Sequence, residues 1–361
     1  MGGLLIAKWA VALAPAPLLL AIFTWLDVFR LMSRREIATL LGLGALASML
    51  AYPVSGRLLD TLPIGFSSYS RFVAPWIEET IKAAMVLALF AHNRIGFKLD
   101  AAISGFAIGV GFSVIENSLY LINFGGMALG VWLVRGFGTA VMHGGATALF
   151  ATLGHELTER QARVRAAQWR LRPVAFLPGL LAATTLHTIF NQLPDRPLLA
   201  MVAALVLVPL SLLLVFRWGE RESGAWLASD EAEHKALLAA LRRDGFDAAD
   251  GGRLNAALAA RFGGHAGQRL VQEYVELHVE LVLRAEEVLR GHAEGKPAPI
   301  TGVDRAALAR FRDLERELGA AVLAALAPSL PFSRNDLWEL REFEEDARAA
   351  RRLGDDPAGP R

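Results

Sequence analysis

Cysteine is absent from the chain, which excludes disulfide staples, thiolate nucleophiles and Cys-ligated metal. A dominant charge is missing too. With 37 Lys and Arg against 36 Asp and Glu the formal net charge is +1, so no global field recruits nucleic acid or an acidic substrate. There is no Gly-rich phosphate loop, no HExxH helix and no internal repeat. What the chain has in excess is apolar residues: 54% of its 361 positions are hydrophobic, and the mean hydropathy is +0.37.

That excess is confined to residues 1–216. Apolar runs long enough to cross a ~30 Å hydrocarbon core occur about seven times there, near Leu4–Leu26, Ile37–Val54, Phe72–Ala91, Ala101–Phe124, Gly136–Leu157, Val174–Leu193 and Leu198–Phe216. The first lacks a basic leading region and carries Lys8, so it reads as a retained helix rather than a signal peptide. From 217 to 350 the composition turns to Arg, Glu, Asp and Ala, with helix-period patterns in Leu270–Leu289 and Leu308–Leu326. The expected fold is all-α: a polytopic membrane bundle, then a soluble helical domain, then a disordered tail over 351–361.

Loop charges orient the bundle. One set of loops holds Arg30, Arg34, Arg35, Arg94, Lys98, Arg160, Arg163, Arg165, Arg170 and Arg172; the alternate set holds only Arg57, Arg71, Arg135 and Arg196. The richer set belongs in the cytoplasm, which puts the N-terminus outside and the C-terminal domain inside. The apolar "GGMALGVWLV" before Arg135 would overfill the fifth span, so an interfacial or re-entrant helix is expected there.

Ionisable residues within spans are costly unless paired or wetted, so their depth is informative. The third run carries Glu78, Glu79 and Lys82, and the fourth Glu116, Asn117 and Tyr120. The fifth carries His143, and the sixth carries His187 and Asn191 four apart on one face. By this topology each group lies about two turns, ~10 Å, from the outer surface. His155, Glu156 and His92 fall at the opposite edge and read as a solvated rim, while Gly144 and Gly145 read as close-packing positions. Carboxylates, imidazoles and an amide at one level imply a water-accessible polar cavity. Such a set can activate water, stabilise an oxyanion and protonate a leaving amine. The same residue types can bind zinc, with Glu79, Glu116, His143 and His187 as candidate ligands, and the spacing leaves both routes open.

"EETIK" (Glu78–Lys82), "FSVIEN" (Phe112–Asn117), the His143 span and "HTIFN" (His187–Asn191) resemble, in order, the motifs of the PrsW-type intramembrane proteases. These are related to the CAAX endopeptidases and the bacteriocin-immunity membrane proteases. The resemblance implies an intramembrane endopeptidase cutting membrane-anchored protein substrates, such as anti-sigma factors, on the extracytoplasmic side. It makes Glu78 and Glu79 the paired glutamates that activate water, with His187 and Asn191 resembling an oxyanion hole. Glu116 and His143 complete the site, and Lys82, Asn117 and Tyr120 support it. It implies either no cofactor or a divalent metal such as zinc, and it leaves the C-terminal domain unexplained. That domain reads as a helical bundle that could dock a cytoplasmic partner. Two other functions fit the residues: an ion-coupled transporter, and a non-catalytic membrane binding or immunity module. A carrier is expected to show repeated halves with broken helices, which the sequence lacks.

Overall fold

The computed structural model describes residues 2–14, 34–96, 98–164, 173–193, 195–246, 251–262, 266–293, 298–330 and 334–354, together with 16, 18, 21, 296 and 332. Every element among them is helical. The chain divides into two compact units, residues 1–161 with 171–220 and residues 162–170 with 221–361. Of the expected disordered tail over 351–361, residues 351–354 are helical; 355–361, the end of the first apolar run, and Arg30, Arg165, Arg170 and Arg172 lie outside the described residues.

The first unit contains α1 (Gly2–Leu13), α2 (Arg34–Thr61), α3 (Ala74–Ala91), α4 (Lys98–Phe124), α5 (Ala140–Val164), α6 (Leu177–Asn191) and the first part of α7 (Pro197–Asp244). Among the described residues, four stretches are long and apolar enough to cross a membrane: Arg35–Thr61, Lys98–Phe124, Pro173–Asn191 and Pro197–Leu214. The third and fifth expected spans also form helices, α3 and α5, but fall outside that set. In α3 the reason is composition: Glu78, Glu79 and Lys82 sit within only 18 residues. Pro75 stands in the first turn of α3, where its missing N–H would have no partner in any case.

α4 is the central helix. Its residues from Asp100 to Ser113 are all buried, and small residues let its neighbours approach at backbone distance. A Cβ at Gly44 of α2 would collide with the Ile108 carbonyl of α4, and one at Gly109 of α4 with the His143 carbonyl of α5. Small residues are what permit such contact where lipid gives no hydrophobic drive to helix association. Gly144 and Gly145, read from sequence as packing positions, face the Phe106 ring and Val208 respectively. Two π-helical turns interrupt the α pattern. Tyr69–Val73 runs into α3, and Arg135–Thr139 follows the short helix Leu129–Val134 and runs into α5.

The second unit is built from the end of α7 with α8 (Gly251–Phe262), α9 (Ala266–Ala293), α10 (Gly302–Leu326) and α11 (Arg334–Gly354). α9 lies at its centre, burying Val275, Val279 and Ala285 in one core with Leu314, Leu318 and Val322 of α10 and Phe343 of α11. Thr301 caps α10 through a reciprocal pair with Asp304. Within α10 the backbone breaks at Gly319, whose φ of 75° lies in the left-handed region that only glycine enters cheaply. The Arg261 guanidinium donates to the nearby Glu317 and Arg316 carbonyls at 2.7 and 3.3 Å.

Two histidines in this core behave oppositely. His278 stacks on Phe332 at 3.8 Å between ring centroids and meets Phe311 edge-on at 5.0 Å. Burial pulls its pKa down to about 3, with Asp336 opposing and His234 assisting. For His234, burial would also lower the pKa, but hydrogen bonds to Asp336 and Glu286 outweigh it and raise the pKa to about 10. An unfolded histidine titrates near 6.5. The neutral His278 ring therefore stabilises the unit fully above about pH 6.5, and that stabilisation is lost as pH falls toward about 3. The His234 contribution is complete below about 6.5 and is lost only as pH rises toward about 10. Melting followed by circular dichroism should shift down by several degrees from pH 7 to about 4.5, and His278→Leu should flatten that dependence.

Candidate active site

Helices α3, α4, α5 and α6 bring their polar side chains into one connected chain. Glu79, 2% exposed, accepts on a single oxygen from Lys82 Nζ at 2.6 Å and from His187 Nδ1 at 2.8 Å. Lys82 is fully buried, and its Nζ also lies 2.9 Å from His143 Nδ1 and 4.7 Å from the centre of the Phe112 ring. His143 Nε2 stands 2.9 Å from Glu116 Oε2, and Glu116 Oε1 pairs with Arg135 Nη2 at 3.3 Å. The two imidazoles meet edge to face at 4.8 Å.

The donors fix the tautomers. An ammonium can only donate, so His143 Nδ1 carries the lone pair and its Nε2–H donates to Glu116. Glu79 can only accept, so His187 Nδ1–H donates to it and Nε2 faces the open end of the chain. There Glu78 Oε2 lies 3.9 Å from His187 Nε2, buried and without a hydrogen-bond partner.

Of the residues marked from sequence, Glu78, Glu79, Lys82, Glu116, His143 and His187 meet in this chain. Asn117, Tyr120 and Asn191 lie around it. Asn117 donates to the Ala12 carbonyl and to Thr139 Oγ1, and accepts from Arg135 Nε at 3.2 Å. Tyr120 lies under the Arg135 guanidinium, 3.7 Å from the ring centre. Asn191 Nδ2 donates to the Ser70 carbonyl at 2.8 Å, fastening α6 to the π turn ahead of α3. Arg135 is the residue that sequence reasoning missed, because it reads as a loop charge. The signal was its place eight residues before His143, about two helical turns. On the other side of the unit, Lys98 pairs with Glu156, and His155 Nε2 lies 2.7 Å from the Gly96 carbonyl. Those residues tie the α3–α4 loop to α5 and do not enter the chain.

The family model for PrsW family intramembrane metalloproteases matches residues 33–215, which hold all of these site side chains. The chain belongs to the PrsW family. No curated protein and no solved structure matches it. As a PrsW-family member it is a membrane protease, acting on substrates held in the lipid bilayer.

The family's name implies a metal, so the donors must be tested for one. One atom each from Glu78, His143 and His187 lie within 4.8 Å of one another. A catalytic zinc is held by three protein ligands with a fourth position open. Here His143 has no free lone pair, because Lys82 caps Nδ1 and Nε2–H is engaged with Glu116. The oxygen of Glu79 that faces the site is already shared by Lys82 and His187. Only Glu78 and His187 Nε2 stand open, one ligand short. The PrsW donor set as placed does not fit a metal, and no step is derived through one.

Proposed function

We propose that the chain is an intramembrane endopeptidase in which Glu78 activates water to hydrolyse peptide bonds of membrane-anchored proteins near the extracytoplasmic face. The observation that carries this reading is the buried, unpartnered Glu78 Oε2 facing His187 Nε2 across 3.9 Å. One water can hydrogen-bond to both atoms.

Glu78 takes a proton from that water as its oxygen attacks the scissile carbonyl. The proton passes to His187 Nε2, whose imidazolium is held in place by Glu79 on its other nitrogen. The imidazolium Nε2–H first hydrogen-bonds the oxyanion, and that one proton then moves to the leaving amine as the oxyanion collapses and the C–N bond breaks. Lys82 supplies the counter-charge of Glu79 and fixes His143, while Glu116 and Arg135 buttress His143 from behind. Asn191 acts as a positioning residue by holding the π turn through Ser70. Asn191→Ala should therefore slow cleavage by about tenfold, far less than a change at Glu78, while loosening the fold by about 1 kcal/mol. Single-turnover cleavage with thermal melting in detergent would separate the two effects.

The loop charges favour an outside N-terminus and a cytoplasmic second unit, which suits extracytoplasmic substrates such as membrane-anchored anti-sigma factors. The test is co-expression of wild type and Glu78→Gln with a panel of tagged single-span membrane proteins, with purified enzyme assayed with and without chelator. Fragments made only by wild type, and undiminished by chelator, support the reading. If a chelator abolishes cleavage and zinc restores it, Glu78 is a metal ligand and the water-activation scheme fails.

A further inference from the structure

α2 is long and apolar enough to cross a membrane, yet it carries a proline in its interior. Pro53 has no N–H, so the Met49 carbonyl four residues back receives no helical hydrogen bond. Lipid tails cannot supply the missing donor. Two residues further on, Ser55 Oγ is buried and has no hydrogen-bond partner among the described residues. Other hydroxyls nearby close on their own helix. Thr39 and Thr61 of α2 each donate to the carbonyl four residues back at 2.9 Å, and Ser118 of α4 does so at 2.7 Å. Less than two turns of α2 therefore hold a carbonyl without its helical donor and a hydroxyl without a partner.

A cavity lies beside this stretch. Met49 and Tyr52 of α2 and Ile115, Ser118 and Leu119 of α4 line a space of about 370 Å³, almost all of it apolar. On α4, Ile115 and Leu119 bracket Glu116 of the polar chain. The α2 wall leads to that chain as well. Ala47 and Ala51 pack in one cluster with Phe112 of α4 and with Ile81 and Met85 of α3. Ser55 continues their face at i+4 from Ala51, and Glu78 stands one turn before Ile81 on α3. In the topology set by the loop charges, both lie on the outer side of that cluster.

The occupant follows from the chemistry. A peptide bond inside a helix is closed to an attacking water, so a membrane-spanning substrate must unwind where it is cut. Unwinding within a bilayer frees N–H and C=O groups that need partners. An acyl chain offers neither donor nor acceptor, whereas an unwound peptide offers both. We propose that the crevice between α2 and α4 seats the unwound segment of the substrate beside its scissile bond. The Met49 carbonyl accepts a substrate N–H, the Ser55 hydroxyl donates to a substrate carbonyl, and one apolar substrate side chain fills the cavity. This rests on the protease reading above and adds to it a substrate preference. Main-chain bonds accept many sequences, and the cavity selects for an apolar residue next to the cut.

The test uses the full chain in the Glu78→Gln background with Tyr52 replaced by photo-crosslinking benzoylphenylalanine, co-expressed with the panel of tagged single-span proteins. The same group at Val206, 57% exposed on α7, is the control. Panel members that wild type cuts should be captured from position 52 at residues next to the cut, and not from 206. Purified variants then read the two bonds. Ser55→Ala breaks no internal hydrogen bond, so melting should hold while kcat/KM falls about tenfold. Pro53→Ala returns an N–H to the Met49 carbonyl, so melting should rise by several degrees while KM rises several-fold. A purely structural role would move melting and activity together. Lipid adducts alone at 52, or capture of cut substrates from 206 as strong as from 52, overturn the proposal. Unchanged kcat/KM in both variants overturns it too. Should Pro53→Ala fail to fold, Ser55→Ala and the capture decide. If wild type cuts no member of the panel, the protease reading fails first and this one falls with it.

Discussion

Glu78→Gln is expected to lower the cleavage rate by about 10³-fold while the protein still inserts and folds, the range lost when a general base is removed. Glutamine keeps the size and shape of the side chain. The oxygen it replaces makes no hydrogen bond, so no internal link is broken. What disappears is the ability to accept a proton from water. The adjacent Glu79→Gln should fail differently. Glu79 is the shared acceptor for Lys82 and His187, so neutralising it leaves a fully buried ammonium without its counter-charge. Breaking one side of such a pair costs about 3–5 kcal/mol, and the result should be loss of monodisperse protein before any rate can be read. Fragment yield normalised to detergent-extracted, monodisperse protein distinguishes the two. Near wild-type cleavage by Glu78→Gln would remove Glu78 from the chemistry.

Gly109→Val should be nearly as damaging although it alters no polar group. The side chain would grow into the carbonyl of His143, and backbone cannot yield as a flexible side chain can. α4 must move away from α5, which separates Glu116 from His143. Overpacking a tight interior costs about 1–3 kcal/mol, and a displacement of ~1 Å at the reacting groups can cost about 10²-fold in rate. Both losses should appear together, in melting and in cleavage. Gly42→Ala is the matched control, since a Cβ there meets nothing within 4 Å. It should leave cleavage at the wild-type rate and melting no lower than wild type, because alanine favours a helix over glycine by about 1 kcal/mol. Equal damage at both positions would mean that helix flexibility, not the α4–α5 contact, is what matters.

Much of the site was legible because a charge inside an apolar helix has few reasons to be there. Glu78, Glu79, Lys82, Glu116, His143 and His187 were each conspicuous against their runs, and the structure joins them in one chain. What the sequence could not supply was partnership. That Lys82 caps His143 as well as Glu79 depends on how α3 and α5 approach, which Gly109 permits and no motif announces. Arg135 was read as a loop charge because hydropathy has no means to register a π turn that carries it back toward Glu116. Asn191 looked like a donor to the reaction, and its bond to Ser70 became visible only with the π turn that presents that carbonyl. The His234 cluster was silent for a different reason. Its members are about 50 residues apart in chain order and each sits in an ordinary amphipathic helix, where periodicity reports burial and nothing about which residues meet.

The two π turns have a consequence for how relatives of this chain can diverge. Each turn holds one more residue than an α turn over about the same sweep, so it absorbs that residue without rotating the entry segment against the helix bearing Glu78 or His143. Dropping one residue from Tyr69–Val73 would restore α geometry and remove the wide turn's displaced carbonyls, with the facing of the entry segment and of the carboxylates both left as they are. Asn191 fastens one of these turns through Ser70, and the Thr139 hydroxyl, bonded back to the Arg135 carbonyl, fastens the other. Relatives can therefore gain or lose one residue at these points while the site keeps its facing, which makes the two turns seams for length change placed just outside the chemistry.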